Sequence, residues 1–302
     1  MSMRVGVDVG GTKIAVGLVS DDGTILRKST ITSAPGSPQS TIADIANEIR
    51  ALTDAQGLSV SEVDGVGLGF AGTVDSPRGR VRTSANLKWT DVDVCGPLSR
   101  ILGVPVRIVN DADAAAWGEC RFGAARRYSS VVAITVGTGI GGAAIIGGTL
   151  LEGRHGLLAE FGHMTLVPDG LPCGCGRFGC WEQYCSGTRL SALAAERLPG
   201  TDRGPATGRD AGVAALLGNE VAVGIFEEIG AYLGAGLANL AMAFDPDLFL
   251  IGGGVSEAGE LLLGPTRREY ARQMGLGGFP CADVVPALLG NDAGLIGAAD
   301  LA

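Results

Sequence analysis

Positive charge is scarce in this 302-residue chain: 23 Lys and Arg stand against 32 Asp and Glu, a formal net charge of −9. An acidic surface repels polyanions, which argues against nucleic-acid coating. No apolar leader opens the chain. Met1–Met3 and Arg4 run straight into a β-branched segment, so no targeting peptide is expected. A clean membrane span is also lacking. Tyr128–Leu151 is uncharged and long enough to cross a bilayer, but six glycines between Gly137 and Gly148 break it, so it reads as buried strands. Ile229–Phe244 is apolar over sixteen residues, too short to span, and reads as a buried helix. Seven cysteines, an odd number without a leader, exclude a disulfide framework. Low apolar content, the mark of disorder, is absent at 46%. The Gly-X-Y period of collagen is absent too.

What the chain has in excess is glycine: 50 residues, more than double the usual ~7%. Its placement is informative. Val5–Val9 alternates like a strand, meets Gly10-Gly11-Thr12-Lys13, and resumes as a strand at Ile14–Val19. The same unit recurs about 127 residues later: Val131–Ile134, the turn Val136–Gly142, then Ala143–Ile146. Asp8 falls opposite Thr135 and Gly10 opposite Gly137, which suggests two similar domains that each open with a β-hairpin. Helical spacing is read over 41–56, 92–102, 112–120, 189–197, 220–244, 259–274 and 292–300. Strands are read over 24–30, 63–69, 104–109, 248–251 and 283–286, and loops over 34–40 and 201–209. Alternating helices and strands with hairpins predict an α/β fold with mixed sheets.

Neither glycine turn is a Walker A loop or a dinucleotide fingerprint, because each leads into a strand rather than a helix. A glycine-lined hairpin tip can still aim backbone N–H groups at phosphate oxygens. Thr12, Lys13 and Thr138 add donors, and Asp8 is a hard oxygen ligand for magnesium. Gly252-Gly253-Gly254, after an apolar strand, would let a flat base approach the backbone. Three such turns point to a nucleotide. His163, Cys173, Cys175 and Cys180 offer one imidazole and three thiols, the set of a closed, structural tetrahedral zinc site. Cys185 is a weaker ligand candidate, and Cys95, Cys120 and Cys281 read as core residues. Asn110-Asp111 stands where a strand gives way to a helix, the position at which α/β sheets bind ligands. There Asp111 either takes a hydroxyl proton during phosphoryl transfer or merely caps the helix. Glu160 and Glu182 flank the metal ligands and would accept hydrogen bonds from a polyol.

Together these residues resemble the ROK family of bacterial sugar kinases. The segments that carry the resemblance are 8–13, 71–75, 110–113, 135–142, 160–163, 173–182 and 251–254, and the cysteine segment is the most diagnostic. The resemblance implies a two-domain actin- and hexokinase-like (ribonuclease H-like) α/β fold with an interdomain cleft that closes on sugar and ATP. It implies one domain over 1–109 plus 292–302 and a second over 110–291 that carries the zinc segment 163–180. It implies ATP-dependent phosphorylation of the glucose 6-hydroxyl, with Asp111 as base. Ala71, Gly72, Asn110, Glu160, His163 and Glu182 would bind the sugar. Gly10, Gly11, Thr12, Lys13, Gly137, Thr138 and Gly139 would hold phosphates, Gly252–Gly254 the adenosine, and Asp8 would support Mg²⁺. His163 would give one ring nitrogen to zinc and the other to a sugar hydroxyl.

A cytoplasmic homodimer or homotetramer is expected, with no nucleic-acid or membrane partner. The alternatives are a kinase for N-acetylmannosamine, fructose or allose, a polyphosphate-driven glucokinase, or a regulator of the same family. A regulator needs an N-terminal helix-turn-helix, for which the strand beginning at Arg4 leaves no room. One departure stands out. Where the family often has glycine before the glutamate of the x-Gly-His segment, this chain has Ala159, which costs little unless that backbone needs positive φ.

Overall fold

The computed structural model of the chain describes residues 2–33, 36–202 and 204–302. Ala34 and Pro35 of the first expected loop, and Arg203 of the second, lie outside the described residues. In chain order, β1 (Met3–Val9), β2 (Lys13–Ser20) and β3 (Ile25–Thr32) form an antiparallel meander. Helix α1 (Pro38–Asp54) follows, with Ile42, Ile45, Ala46, Ile49 and Leu52 buried as a 3.6-period stripe. Strand β4 (Val66–Phe70) pairs parallel with β1. Then β5 (Thr73–Asp75), β6 (Arg80–Ser84) and β7 (Trp89–Asp93) make a separate antiparallel sheet. Helix α2 (Cys95–Leu102) leads to β8 (Val106–Asn110), parallel to β4, and to helix α3 (Asp111–Phe122).

A second hairpin, β9 (Val131–Val136) and β10 (Ile140–Ile146), is edged by β11 (Thr149–Leu150). Helices α4 (Glu182–Cys185), α5 (Gly187–Arg197), α6 (Gly208–Leu216) and α7 (Glu220–Phe244) precede β12 (Leu248–Gly252). Helix α8 (Glu260–Leu276), β13 (Asp283–Pro286) and α9 (Ala293–Asp300) close the chain.

The chain folds as two compact units: 1–127 with 150–158 and 288–302, and 128–149 with 159–287. These differ from the expected division at 109/110 and 291/292. The first unit keeps α3 because α3 packs tightly on α9. A Cβ at Gly118 would lie 2.6 Å from Ala293 O, and one at Gly297 would collide with Ala114 O. Within the first unit α9 also lies on the sheet, where Gly6 and Gly67 meet the Leu295 and Ala298 carbonyls with no room for a side chain. In the second unit Gly230 and Gly234 of α7 face α8, and Gly236 faces Trp181. By length and composition α7, at 25 residues, could cross a membrane, but 56% of its most apolar stretch is buried within the protein.

The β5–β7 sheet has no counterpart among the strands read from the sequence. Its strands hold three to five residues, each with only one or two apolar side chains among polar ones, too short a pattern to separate from a loop. Helix α6 escapes the sequence pattern for a similar reason: it overlaps the expected loop 201–209 and its N-cap Thr207 sits among turn residues.

Candidate active site and metal centre

In the first unit β1 ends at Val9 and β2 begins at Lys13, so Gly10–Thr12 form the hairpin tip. Gly10 N–H donates to Lys13 O at 3.0 Å. Ser33 holds the tip from one side: its Oγ donates to Gly10 O at 2.8 Å and its N–H to Thr12 O at 3.2 Å. Asp8 lies just inside β1, in register with Gly69 of β4. Burial pushes its carboxyl above the ordinary range, against the pull of Lys13 and Lys28. An ionised carboxylate that is costly to bury suits a cation ligand.

Strand β8 ends at Asn110, and that residue, not Asp111, caps α3. Its Oδ1 accepts from the Ala112 N–H at 2.8 Å and from the Asp113 N–H at 3.3 Å. Its Nδ2 donates to Gly72 O at 3.1 Å. Asp111 therefore stands at the first helical position, where the positive end of the helix favours a carboxylate. Gly72 has φ +148, and a Cβ there would strike Thr83 O. Thus Ala71, Gly72, Asn110 and Asp111 come together at the ends of β4 and β8.

In the second unit Gly137–Gly139 form the tip between β9 and β10, closed by Gly137 N–H to Gly139 O at 3.0 Å. The start of α5 seats on it: Gly187 N–H donates to Gly137 O at 2.7 Å, and Thr188 Oγ1 donates to Thr138 O at 2.7 Å. The two glycines differ. A Cβ at Gly137 would meet open space, whereas one at Gly139 would lie 2.5 Å from Glu182 Oε2. Phosphate oxygens are therefore better received on the Gly137–Thr138 side, and hydroxyl donors on the Glu182 side. Gly253, with φ +85, lies so close to β9 that a Cβ would sit 2.5 Å from Val136 O, while Gly254 is open.

The metal ligands converge. His163 ends a short 3₁₀ turn after Glu160, and Cys173, Cys175 and Cys180 lie on a tight knuckle. The knuckle turns where Gly176 and Gly179 adopt φ +86 and +71. All four ligand atoms lie within 4.8 Å of one another. Cys175 Sγ is 3.6 Å from Cys180 Sγ, and Cys173 Sγ is 3.7 Å from His163 Nδ1. A tetrahedron of zinc–sulfur bonds near 2.3 Å has edges of about 3.8 Å, so the set fits zinc. Burial, with the two neighbouring thiols, pushes the Cys180 thiol up to about 12, so a cation is needed to hold it as thiolate at neutral pH. His163 turns Nδ1 to the cluster, leaving Nε2 as its other donor or acceptor.

Glu182 is placed by its neighbour. Trp181 is fully buried and donates Nε1 to Tyr232 O of α7 at 2.8 Å. Glu182 Oε1 then lies 3.1 Å from Cys173 Sγ and 3.6 Å from His163 Nδ1. Gln183 Nε2 donates to the same oxygen at 3.3 Å. Cys185 is buried outside the cluster and donates to Trp181 O, so the weaker ligand reading is not supported. Cys281, read as a core residue, is exposed. Two contributors carry no local spacing signal in the sequence. Asn86 covers the Gly11 tip. Glu119, 1% exposed, accepts three backbone N–H groups, from Ala124, Leu288 and Leu289.

The chain is similar to known proteins over its full length. The chain is 43% identical to the glucokinase of Streptomyces coelicolor over 317 aligned positions, covering 100% of this chain and 98% of that one. It is 36% identical to the glucokinase of Thermotoga maritima over 310 positions, with 98% and 96% covered. Among solved structures, a ROK family glucokinase from Streptomyces griseus in complex with glucose and AMPPNP superposes with a TM-score of 0.83, at 43% identity and 100% and 99% coverage. The ROK family pattern matches residues 4–302, so the chain belongs to the ROK family.

Proposed function

We propose that this chain is an ATP-dependent glucokinase, transferring the γ-phosphoryl group of ATP to the 6-hydroxyl of glucose. The observation that carries the reading is Asp111 at the first position of α3: its Oδ1 accepts the Ala112 N–H at 3.0 Å, and the preceding Asn110 caps the helix and donates to Gly72 O. Full-length similarity to glucokinases supports the same reaction.

Asp111 accepts the O6 proton as O6 attacks the γ-phosphorus and the bond to the ADP oxygen breaks. Backbone amides at Gly10–Thr12 and at Gly137–Thr138, with the Thr12 and Thr138 hydroxyls and Lys13, receive the charge spread over the phosphoryl oxygens. Gly252–Gly254 accept the adenosine. Asn110, Glu160, Glu182, His163 Nε2 and the 71–72 backbone bind sugar hydroxyls. Asp8 would hold Mg²⁺, which when bound neutralises phosphate charge. His163, Cys173, Cys175 and Cys180 would hold zinc, whose four-ligand site is closed and therefore structural. A cytoplasmic homodimer or homotetramer completes the proposal.

The deciding experiment is a coupled ADP-release assay on a panel of glucose, fructose, allose, mannose and N-acetylmannosamine, with ATP and polyphosphate as donors. Glucose with ATP should give the highest kcat/KM. A higher value for another sugar or for polyphosphate replaces the assignment.

A further inference from the structure

We propose that Ser84 and Asn86 are positioning residues that set the sugar-facing backbone at Ala71–Gly72 against the phosphate-facing tip at Gly10–Thr12. The proposal rests on the sugar-kinase reading and deepens it. All of these residues lie in the first unit.

The end of β6 and the turn that follows it touch both places. Ser84, 3% exposed, donates Oγ to Ala71 O at 2.8 Å. The adjacent Thr83 carbonyl is what leaves Gly72 no room for a Cβ. Two residues on, the Asn86 side chain lies over Gly11. A Cβ built there would be 2.7 Å from Asn86 Cβ, 3.1 Å from Cγ and 3.3 Å from Nδ2. The turn is itself held down. Leu87 O accepts from Gly36 N–H at 3.0 Å, and the Trp89 ring lies 5.3 Å from that of Phe70, at the end of β4. Lys88 has φ +57, a left-handed conformation that a non-glycine residue keeps only where its surroundings impose it.

The two glycines thus have one cause: a single strap presses on both. Ser84 satisfies the Ala71 carbonyl and Asn110 satisfies the Gly72 carbonyl. The same Asn110 caps the helix that begins with Asp111. Asn86 then fixes the height of the hairpin tip relative to that base.

The test compares Ser84→Ala, Ser84→Thr and Asn86→Ala with the wild type in the full chain. Steady-state kinetics are combined with amide hydrogen exchange over residues 8–13 and 70–73. Losing one hydrogen bond or close contact should change the matching KM about tenfold. Ser84→Ala should raise KM for glucose with KM for ATP unchanged, and Ser84→Thr should restore it. Asn86→Ala should raise KM for ATP and lower kcat with KM for glucose unchanged. Exchange should quicken at 70–73 in Ser84→Ala and at 8–13 in Asn86→Ala. A merely structural role would lower the melting temperature while both KM values stay fixed, and that result overturns the proposal. So does unchanged exchange at both segments. The exchange readout needs no turnover, so an inactive wild type sinks the glucokinase reading while the strap is still judged.

Discussion

The first sheet runs β3-β2-β1-β4-β8 and the second β11-β10-β9-β12-β13. In each, a central strand pairs antiparallel with its hairpin partner on one side and parallel with a later strand on the other. Even the register agrees. Asp8, next to last in β1, faces Gly69 of β4, and Thr135, next to last in β9, faces Gly252 of β12. What differs is the cover on each hairpin tip: a neutral amide, Asn86, in the first unit and a carboxylate, Glu182, in the second. A shared β-frame therefore delivers a tip to the same place twice, and the segment packed over it decides the chemistry. The cover on the first tip carries no charge. The carboxylate over the second repels anions and can accept hydrogen bonds from hydroxyls.

The largest effect should come from removing the carboxylate that follows β8 in the first unit. Asp111→Ala should lower kcat at least a hundredfold, the usual scale for a lost general base, with sugar binding and the melting curve nearly unchanged. A variant retaining more than about a hundredth of the wild-type rate assigns the base elsewhere. Next in size is the metal knuckle, which the first unit lacks among its described residues. Cys180→Ala should lose stoichiometric zinc, measured by elemental analysis, and melt several degrees lower. Chelation of the wild type should do the same. A metal-free protein that melts and turns over normally would separate the second unit's fold from its cluster.

Much of this asymmetry is legible in the sequence, because its signals are local. Strand–glycine–strand appears at both tips, and His163 with Cys173, Cys175 and Cys180 needs only spacing to be seen. Helix α7 occupies the range its pattern predicts, Glu220–Phe244, since long apolar stretches announce themselves. The covers are not legible. Asn86 lies in a short turn between strands too brief to show alternation, and its partner Gly11 is 75 positions away. Glu119 looks like any charged helix residue until the chain returns at Leu288 to donate two N–H groups to it. Gly6, Gly67, Gly118 and Gly297 likewise answer to α9 and to one another, not to their neighbours in sequence. Contacts that depend on which distant element arrives cannot be read from periodicity.

The Asp8–Thr135 equivalence yields a smaller test, one of stability. Burial raises the Asp8 carboxyl, so the protonated form favours folding. That contribution is complete below the ordinary carboxyl range near ~4 and is lost as pH rises through the raised value. At neutral pH the ionised group is a cost that Thr135 does not impose. Asp8→Asn should therefore melt above the wild type at about pH 7, with the gap closing toward about pH 4. Turnover should fall at the same time if Asp8 holds Mg²⁺ as proposed. A lower melting temperature for Asp8→Asn at neutral pH would mean that Lys13 and Lys28 outweigh burial.

The smallest expected effect lies beside Glu160. Ala159 has φ +64 and is 6% exposed, so the position does need the positive φ that glycine would supply freely. Left-handed backbone costs an L-residue about 1–2 kcal/mol. Replacement by glycine removes that strain, but it loses about 0.4–1 kcal/mol through the freer unfolded chain and forfeits the contacts of one methyl. These terms nearly cancel, so Ala159→Gly should melt within a few degrees of the wild type, while a β-branched Ala159→Val should melt well below it. A similar melting temperature for all three proteins would mean that the segment relaxes out of the left-handed region. Glu160 would then owe its position to the 3₁₀ turn that follows it rather than to the strained residue before it.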